Sequence, residues 1–267
     1  MRWTIRMSGA VLIALFLSAL LAPLISSAPY DQVDLNQRLL SPCRAHWLGT
    51  DELGRDILSR LLFGGRVSLL VSLVVVSISV VVGVSLGALC GLFGGWTDEM
   101  IMRLGDILLA FPGILLAIGL MAILGPSLQN VVFALVAMGW VSQARLARGL
   151  TLRLRELDFV SASRSLGSSS GRLLYRHILP NMLPPLIVQA SFSFAGVLLA
   201  EASLSFLGLG VQPPIPSWGS MLSDGKNHLL DAPHLTIFPG FAIFLSVLAF
   251  NLLGDGLRDQ LDPRLRI

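Results

Sequence analysis

From Val67 to Gly95 the chain carries no charged side chain, and from Ile107 to Ala144 it again carries none. An apolar run needs about 20 residues to cross the hydrocarbon core of a bilayer. Inside that core every backbone N–H and C=O must be satisfied within the segment, which makes a crossing run of this kind a helix. The second stretch is too long for one crossing. Gly125-Pro126-Ser127 divides it, because Gly-Pro marks a turn and proline opposes helix continuation. Composition agrees: 13% of the 267 residues are charged, against roughly 25% in a soluble domain, and mean hydropathy is +0.77. Lipid is the solvent to which this sequence is matched.

Six spans account for the apolar runs and define an all-α integral membrane protein. They are Ser8–Ser27, one within Val67–Gly95, then Gly105–Leu124, Gln129–Gly149, Leu183–Leu207 and Leu235–Gly254. The first also resembles a secretory signal, with Arg2 and Arg6 before it and Ser26-Ser27-Ala28 at its end. Pro29 opposes cleavage there, and the run exceeds the usual length of about 7–15 residues, so it reads as a retained anchor.

Orientation is expected from arginine placement in short loops. Eighteen of the 19 basic residues are arginine, the other being Lys226. The segment after the fourth span holds Arg145, Arg148, Arg153, Arg155, Arg164, Arg172 and Arg176, whereas the loop after the third span has no charge. Arg2, Arg6, Arg258, Arg264 and Arg266 lie at the two ends. Both termini and the basic segment are therefore expected on the cytoplasmic side of the membrane, with Ala28–Arg66 outside. The chain divides into two regions: residues 1–66, an anchor with an outer loop and a surface helix, and residues 67–267, the membrane core.

Glycines at 83, 87, 91 and 95 form one ridge on the second span, where a neighbouring helix can approach closely. Packing within the subunit, a subunit interface and a translocation path are all compatible with it. In Thr50–Leu62 the apolar positions 53, 57, 58, 61 and 62 have helical spacing. Thr50 serves as a possible N-cap, and the segment reads as an amphipathic helix on the membrane surface.

No catalytic constellation is present: there is no Gly-x-Ser-x-Gly and no His-Glu-x-x-His. Asp224-Gly225-Lys226-Asn227 resembles the end of a phosphate loop, but its upstream glycine is misplaced and the Ser/Thr is missing. Cys43 and Cys90 have neither metal-ligand nor disulfide-framework spacing, and His228 and His234 read as solvated loop residues. No metal site and no cofactor are expected on this chain. Glu201 sits inside the fifth run, where a charge costs about 2.5–3.5 kcal/mol to insert. With Gln189 and Ser193 it either lines a path or serves structure, and its place near a helix end lets it reach water or cap a neighbouring helix. Asp106 is expected to pair with Arg103, one turn away.

The polar segment from Arg155 to Asn181 interrupts two of the most apolar runs. It reads as helix, hinge, helix. Leu157, Val160, Ala162 and Leu166 are assigned one apolar face, Gly167 the left-handed C-terminal position, and Ser168 to Ser170 the cap of a second helix that Pro180 ends. Such a hairpin either docks in a groove of a soluble partner or lies on its own helices.

Ser161-Ala162-Ser163, Gly167 and Ile178-Leu179-Pro180 resemble the cytoplasmic Glu-Ala-Ala-x3-Gly…Ile-x-Leu-Pro loop of ABC importer permeases. The stretches His46–Asp56, Ser203–Pro214 and Gly254–Arg264 are similar to the C-type permease subunit of dipeptide, oligopeptide and nickel importers. The resemblance covers nearly the whole chain and implies a type I importer permease fold. It implies a homologous permease partner, two ATPase subunits that carry ATP and Mg, and an external solute-binding protein. It also implies that ATPase docking falls to Ser161, Ala162, Ser163, Gly167, Ile178, Leu179 and Pro180. The family's loop begins with glutamate where this chain has Ser161, which leaves Asp158 to supply the acidic contact. Small peptides are the implied solute and nickel, free or chelated, the alternative. An ion-coupled secondary carrier is the rival of another class, and it would want an internal repeat or midplane ionisable groups.

Overall fold

In the computed structural model, which describes residues 2–26 and 28–261, every regular element is helical. Ser27, expected to close the first span, lies outside the described residues, as do Arg264, Arg266 and the end of the Gly254–Arg264 stretch. Two short 3-10 turns, Leu35–Gln37 and Lys226–His228, aside, the elements in chain order are α1 (Arg2–Leu20), α2 (Ala22–Ile25), α3 (Ile57–Phe93), α4 (Gly95–Leu109), α5 (Gly113–Leu124) and α6 (Leu128–Leu154). After these come α7 (Asp158–Ser165), α8 (Ser170–Leu173), a π turn (Leu174–Ile178), α9 (Leu179–Phe206), α10 (Trp218–Gly225) and α11 (His234–Leu261). Five stretches are long and apolar enough to cross a membrane, and the pair α4 and α5 makes a sixth when taken as one bent span.

Three of the expected boundaries move. The first span begins earlier than Ser8 and breaks at Leu21, just before Pro23 in the first turn of α2. The third is not one helix: α4 and α5 meet at 88° across Ala110–Pro112, since Pro112 has no N–H, disfavours helical angles in the residue before it and itself takes ψ +123°. The surface helix expected from Thr50 is absent. Asp51 instead accepts the N–H groups of Leu53 and Arg55, both at 2.9 Å, and folds its own backbone into a turn. The cap is Asp56, which accepts the Ser59 N–H at 2.8 Å, and α3 runs unbroken from Ile57 through residues 66 and 67.

Contacts at the helix ends define two faces of the bundle. At one, here the terminal face, Ile5 of α1 meets Gly256 of α11, and the Arg155 guanidinium donates to Gly91 O at 2.8 Å. At the opposite face the Trp218 indole N–H donates to Leu61 O at 2.9 Å. The 37 residues of α3 measure about 55 Å. That exceeds the roughly 30 Å hydrocarbon thickness, so the helix tilts or projects from the membrane.

All three larger cores draw on α3. Ile57 and Leu69 pack with Phe194, Leu198, Trp218 and Phe250, where the Phe194 and Phe250 rings stack at 3.8 Å. Val71 and Val75 pack with Met121 of α5 and Ala134 of α6. Val84 and Ala88 pack with Ala147, Ile178 and Met182. Between α3 and α6 the backbones nearly touch. A Cβ on Gly83 would lie 2.4 Å from Trp140 O, on Gly87 2.1 Å from Ala144 O, and on Gly91 2.6 Å from Thr151 Cβ. Gly95 is not part of this ridge: α3 ends at Phe93, Gly94 and Gly95 both take positive φ, and nothing lies within 4 Å of a Cβ at Gly95.

Gly87→Leu must push two backbones apart, so it is expected to cost at least about 1–3 kcal/mol and to lower the melting temperature of detergent-purified protein. Gly119→Leu, on α5 with open space around its Cβ, is expected to melt like the parent.

Candidate functional site

The Arg155–Pro180 segment leaves the bundle at the terminal face as a short hairpin. α7 ends in a paired C-terminal motif: Ser168 N–H bonds to Ser163 O at 3.2 Å and Gly167 N–H to Arg164 O at 2.9 Å. That motif requires a left-handed residue at its centre, and Gly167 has φ +83°. Ser169 then caps α8 by accepting the Arg172 N–H. The Ser163 hydroxyl donates to Ser168 Oγ at 2.9 Å and lies 3.2 Å from His177 Nε2. The His177 ring in turn stands 6.2 Å from that of Phe159. The two arms of the hairpin are thus cross-tied.

The second helix does not end at Pro180. Leu174–Ile178 form a π turn in which Leu179 N–H bonds to Leu174 O, five residues back. Pro180, which has no N–H to lose, comes at the point where the register returns to α, and the helix continues into α9. Chain direction therefore passes from the exposed hairpin straight into a span.

Asp158, Ser161, Ala162, Gly167 and Pro180 are exposed, Ser163 is half-buried, and Ile178 is fully buried against Val84 and Ala147. Leu179 leans on the same core. Ile178 therefore anchors the hairpin and offers no surface to a partner. The single apolar face assigned to α7 also divides. Val160 is fully buried, whereas Leu166 is 89% exposed, because positions 157 and 160 fall on one side of the helix and 162 and 166 on the other. Arg153, Arg164, Arg172 and Arg176 surround the hairpin, all exposed.

Buried polar groups mark three further places. At the opposite face, the Asp51 carboxylate accepts Arg55 Nε at 2.7 Å and also Arg60 Nη1. Arg60 Nη2 reaches Asp224 Oδ2 of α10 at 3.0 Å, and Asp51, Arg55 and Arg60 are each under a tenth exposed. His46 joins the same region, with Nδ1 2.9 Å from Asp56 Oδ1 and Nε2 2.6 Å from Gln37 Oε1. This cluster ties the loop before α3 to α10. Its trace in the sequence is the Asp51/Arg55 spacing of four, which amphipathic periodicity obscures.

Glu201 is 1% exposed and closed off from solvent. It accepts the Ser205 hydroxyl at 2.8 Å and has the Ser68 and Ser217 side chains beside it, Ser217 being the N-cap of α10. Its carboxylate therefore faces the positive end of that helix. Gln189 and Ser193 of α9 border a cavity between α3, α6 and α9, and Ser193 Oγ accepts from Gln143 Nε2 at 3.0 Å. Gln143, fully buried in an apolar run, carries no sequence signal. Asp106 pairs with Arg145 of α6, while Arg103 is taken by Glu99. The expected local pair gives way to one between helices. Among the described residues no three His, Cys, Asp or Glu side chains stand together as a metal-binding group.

Residues 83–267 match the family described as binding-protein-dependent transport system inner membrane component. The chain is 46% identical to the dipeptide transport system permease protein DppC of Alkalihalophilus pseudofirmus, over 97% of this chain and 85% of that protein. It is 48% identical to the glutathione transport system permease protein GsiD of Pectobacterium atrosepticum, over 89% and 80% respectively. It is 44% identical to a probable D,D-dipeptide transport system permease protein of Escherichia coli, over 96% and 86%. A crystal structure of an amino acid ABC transporter superposes with a TM-score of 0.57 at 18% identity, covering 76% of this chain and 94% of that one. The fold is that of a type I ABC importer permease, a multi-pass membrane protein. The chain belongs to the family of binding-protein-dependent inner membrane transport components, and it is a permease subunit.

Asp51→Ala leaves the buried Arg55 and Arg60 without their shared carboxylate. The loss is expected at about 3–5 kcal/mol and should appear as a large drop in folded yield and melting temperature.

Proposed function

We propose that this chain is half of the membrane path of an ATP-driven importer of small peptides. A homologous permease forms the other half, two ATPase subunits hydrolyse ATP below, and an external binding protein delivers the solute. The observation that carries this reading is the exposed, cross-tied hairpin that continues into α9. A force applied to the hairpin from outside the membrane turns or tilts a span that borders the path.

In this reading the terminal face is cytoplasmic, as the arginines around the hairpin favour. The loop before α3 and α10 then face outward. Asp158, Ser161, Ala162, Gly167 and Pro180 meet the ATPase, with Asp158 supplying the acidic contact that Ser161 does not. Ser163 and Leu179 hold the hairpin's shape. The glycine ridge packs α3 on α6, and Glu201 holds the start of α10 against α3 and α9. Gln189 and Ser193 face the path. The segment that precedes α3 acts as anchor and outer cap to the transport core. Peptides are favoured over nickel because the similar proteins are named for dipeptide, glutathione and D,D-dipeptide transport. Family membership also leaves an ion-coupled carrier without support.

A mild-detergent pull-down of the tagged chain is expected to recover a homologous permease and ABC ATPases, and vesicles holding that complex are expected to import dipeptides only with ATP. Recovery of the chain alone, still transporting without ATP, would overturn the reading. Gly167→Ala adds only the backbone penalty of about 1 kcal/mol, since its Cβ meets nothing. Gly167→Leu adds bulk to the docking surface as well. Uptake is expected to fall modestly in the first and by about tenfold or more in the second, with membrane insertion unchanged in both.

A further inference from the structure

Two cavities succeed one another along α9 and share Gln189 as a wall. The first, about 260 Å³, lies between α3, α6 and α9 and extends toward Ala200. The second, about 470 Å³, extends toward the terminal face past Val188 and Pro184 to Arg258. The polar side chains bordering the first are Ser79, Ser142, Gln189 and Ser193, and none of its lining residues is ionisable.

These groups differ in what they offer an external partner. Ser79 is 4% exposed and its hydroxyl oxygen is itself buried, so it is not presented to the cavity. Ser193 Oγ already accepts from the buried Gln143, which leaves its own proton to donate into the cavity. Gly196, on the same wall, has nothing within 4 Å of a Cβ, so the space in front of it is open.

We propose that Gln189 and Ser193 form an uncharged hydrogen-bonding track that receives the amide groups of a peptide and passes it from the first cavity to the second across Gln189. The inference rests on the permease reading under Proposed function. Hydroxyls and a carboxamide each donate and accept, which matches the N–H and C=O of a peptide bond. With no ionisable group in the first cavity, that part of the track reads what all peptides share and is indifferent to side-chain charge, Arg258 entering only in the second.

The test uses the whole importer complex in vesicles, with Cys43→Ser and Cys90→Ala as background. Gln189→Cys and Ser193→Cys are expected to react with a charged, water-soluble thiosulfonate, and Val81→Cys, exposed on the apolar middle of α3, is expected not to. Failure of both cavity cysteines to react would overturn the track, because the partner subunit would then cover this wall.

Gly196→Phe is expected to abolish dipeptide import while complex assembly and stimulated ATP hydrolysis persist, and Gly119→Phe is expected to import normally. Parental import by Gly196→Phe would overturn the track. Gln189→Leu is expected to slow import of neutral, lysine-bearing and aspartate-bearing dipeptides by the same factor, about fivefold to thirtyfold. A factor that depends on solute charge would overturn it. Reactive cavity cysteines in a parental complex that imports no peptide would instead overturn the peptide reading of the whole protein, and the track's assignment to amide groups with it.

Discussion

The near-contact of α3 and α6 backbones is the constraint on which the rest of the bundle depends. In lipid, burying apolar side chains against one another offers no hydrophobic gain, so helices associate through close van der Waals fit. Gly83, Gly87 and Gly91 on α3, facing Trp140 O, Ala144 and Thr151 on α6, supply that fit over three turns. Each of the three larger cores includes side chains of α3. The positions of α9, α10 and the hairpin are therefore all referred to this one helix pair.

Polar groups then fix what packing alone leaves loose. The Asp51–Arg55–Arg60–Asp224 cluster balances two carboxylates with two guanidiniums and joins segments far apart in sequence. Such a cluster brings little net stability over an apolar substitute, but its geometry admits few alternatives. Glu201 does similar work at the meeting of α3, α9 and α10, where a carboxylate among serine hydroxyls faces a helix N-terminus.

Solvent matching and local turn chemistry are legible in the sequence. The charge-free runs announce the spans, Gly125-Pro126-Ser127 announces the break before α6, and Gly167 announces the end of α7. Local pattern misleads where a tertiary partner overrides it. Thr50–Leu62 has helical spacing, yet Asp51 holds its own backbone in a turn because Arg55 and Arg60 converge on it. Pro180 reads as a stop, yet the π turn before it absorbs the missing N–H. Gln143 stands in a charge-free run, and only the assembled bundle reveals its bond to Ser193.

The π turn has a consequence for phase. Its wider turn advances the backbone by about one residue relative to a regular α-helix, and one residue corresponds to about 100° of rotation. The bearing of the hairpin around the α9 axis is therefore set by that single extra residue between Leu174 and Ile178. Hairpin and span can each keep their own internal register while their mutual angle is adjusted by one position of chain length. Within such a fold, insertions or deletions at this joint would re-aim the exposed hairpin without disturbing either element it connects.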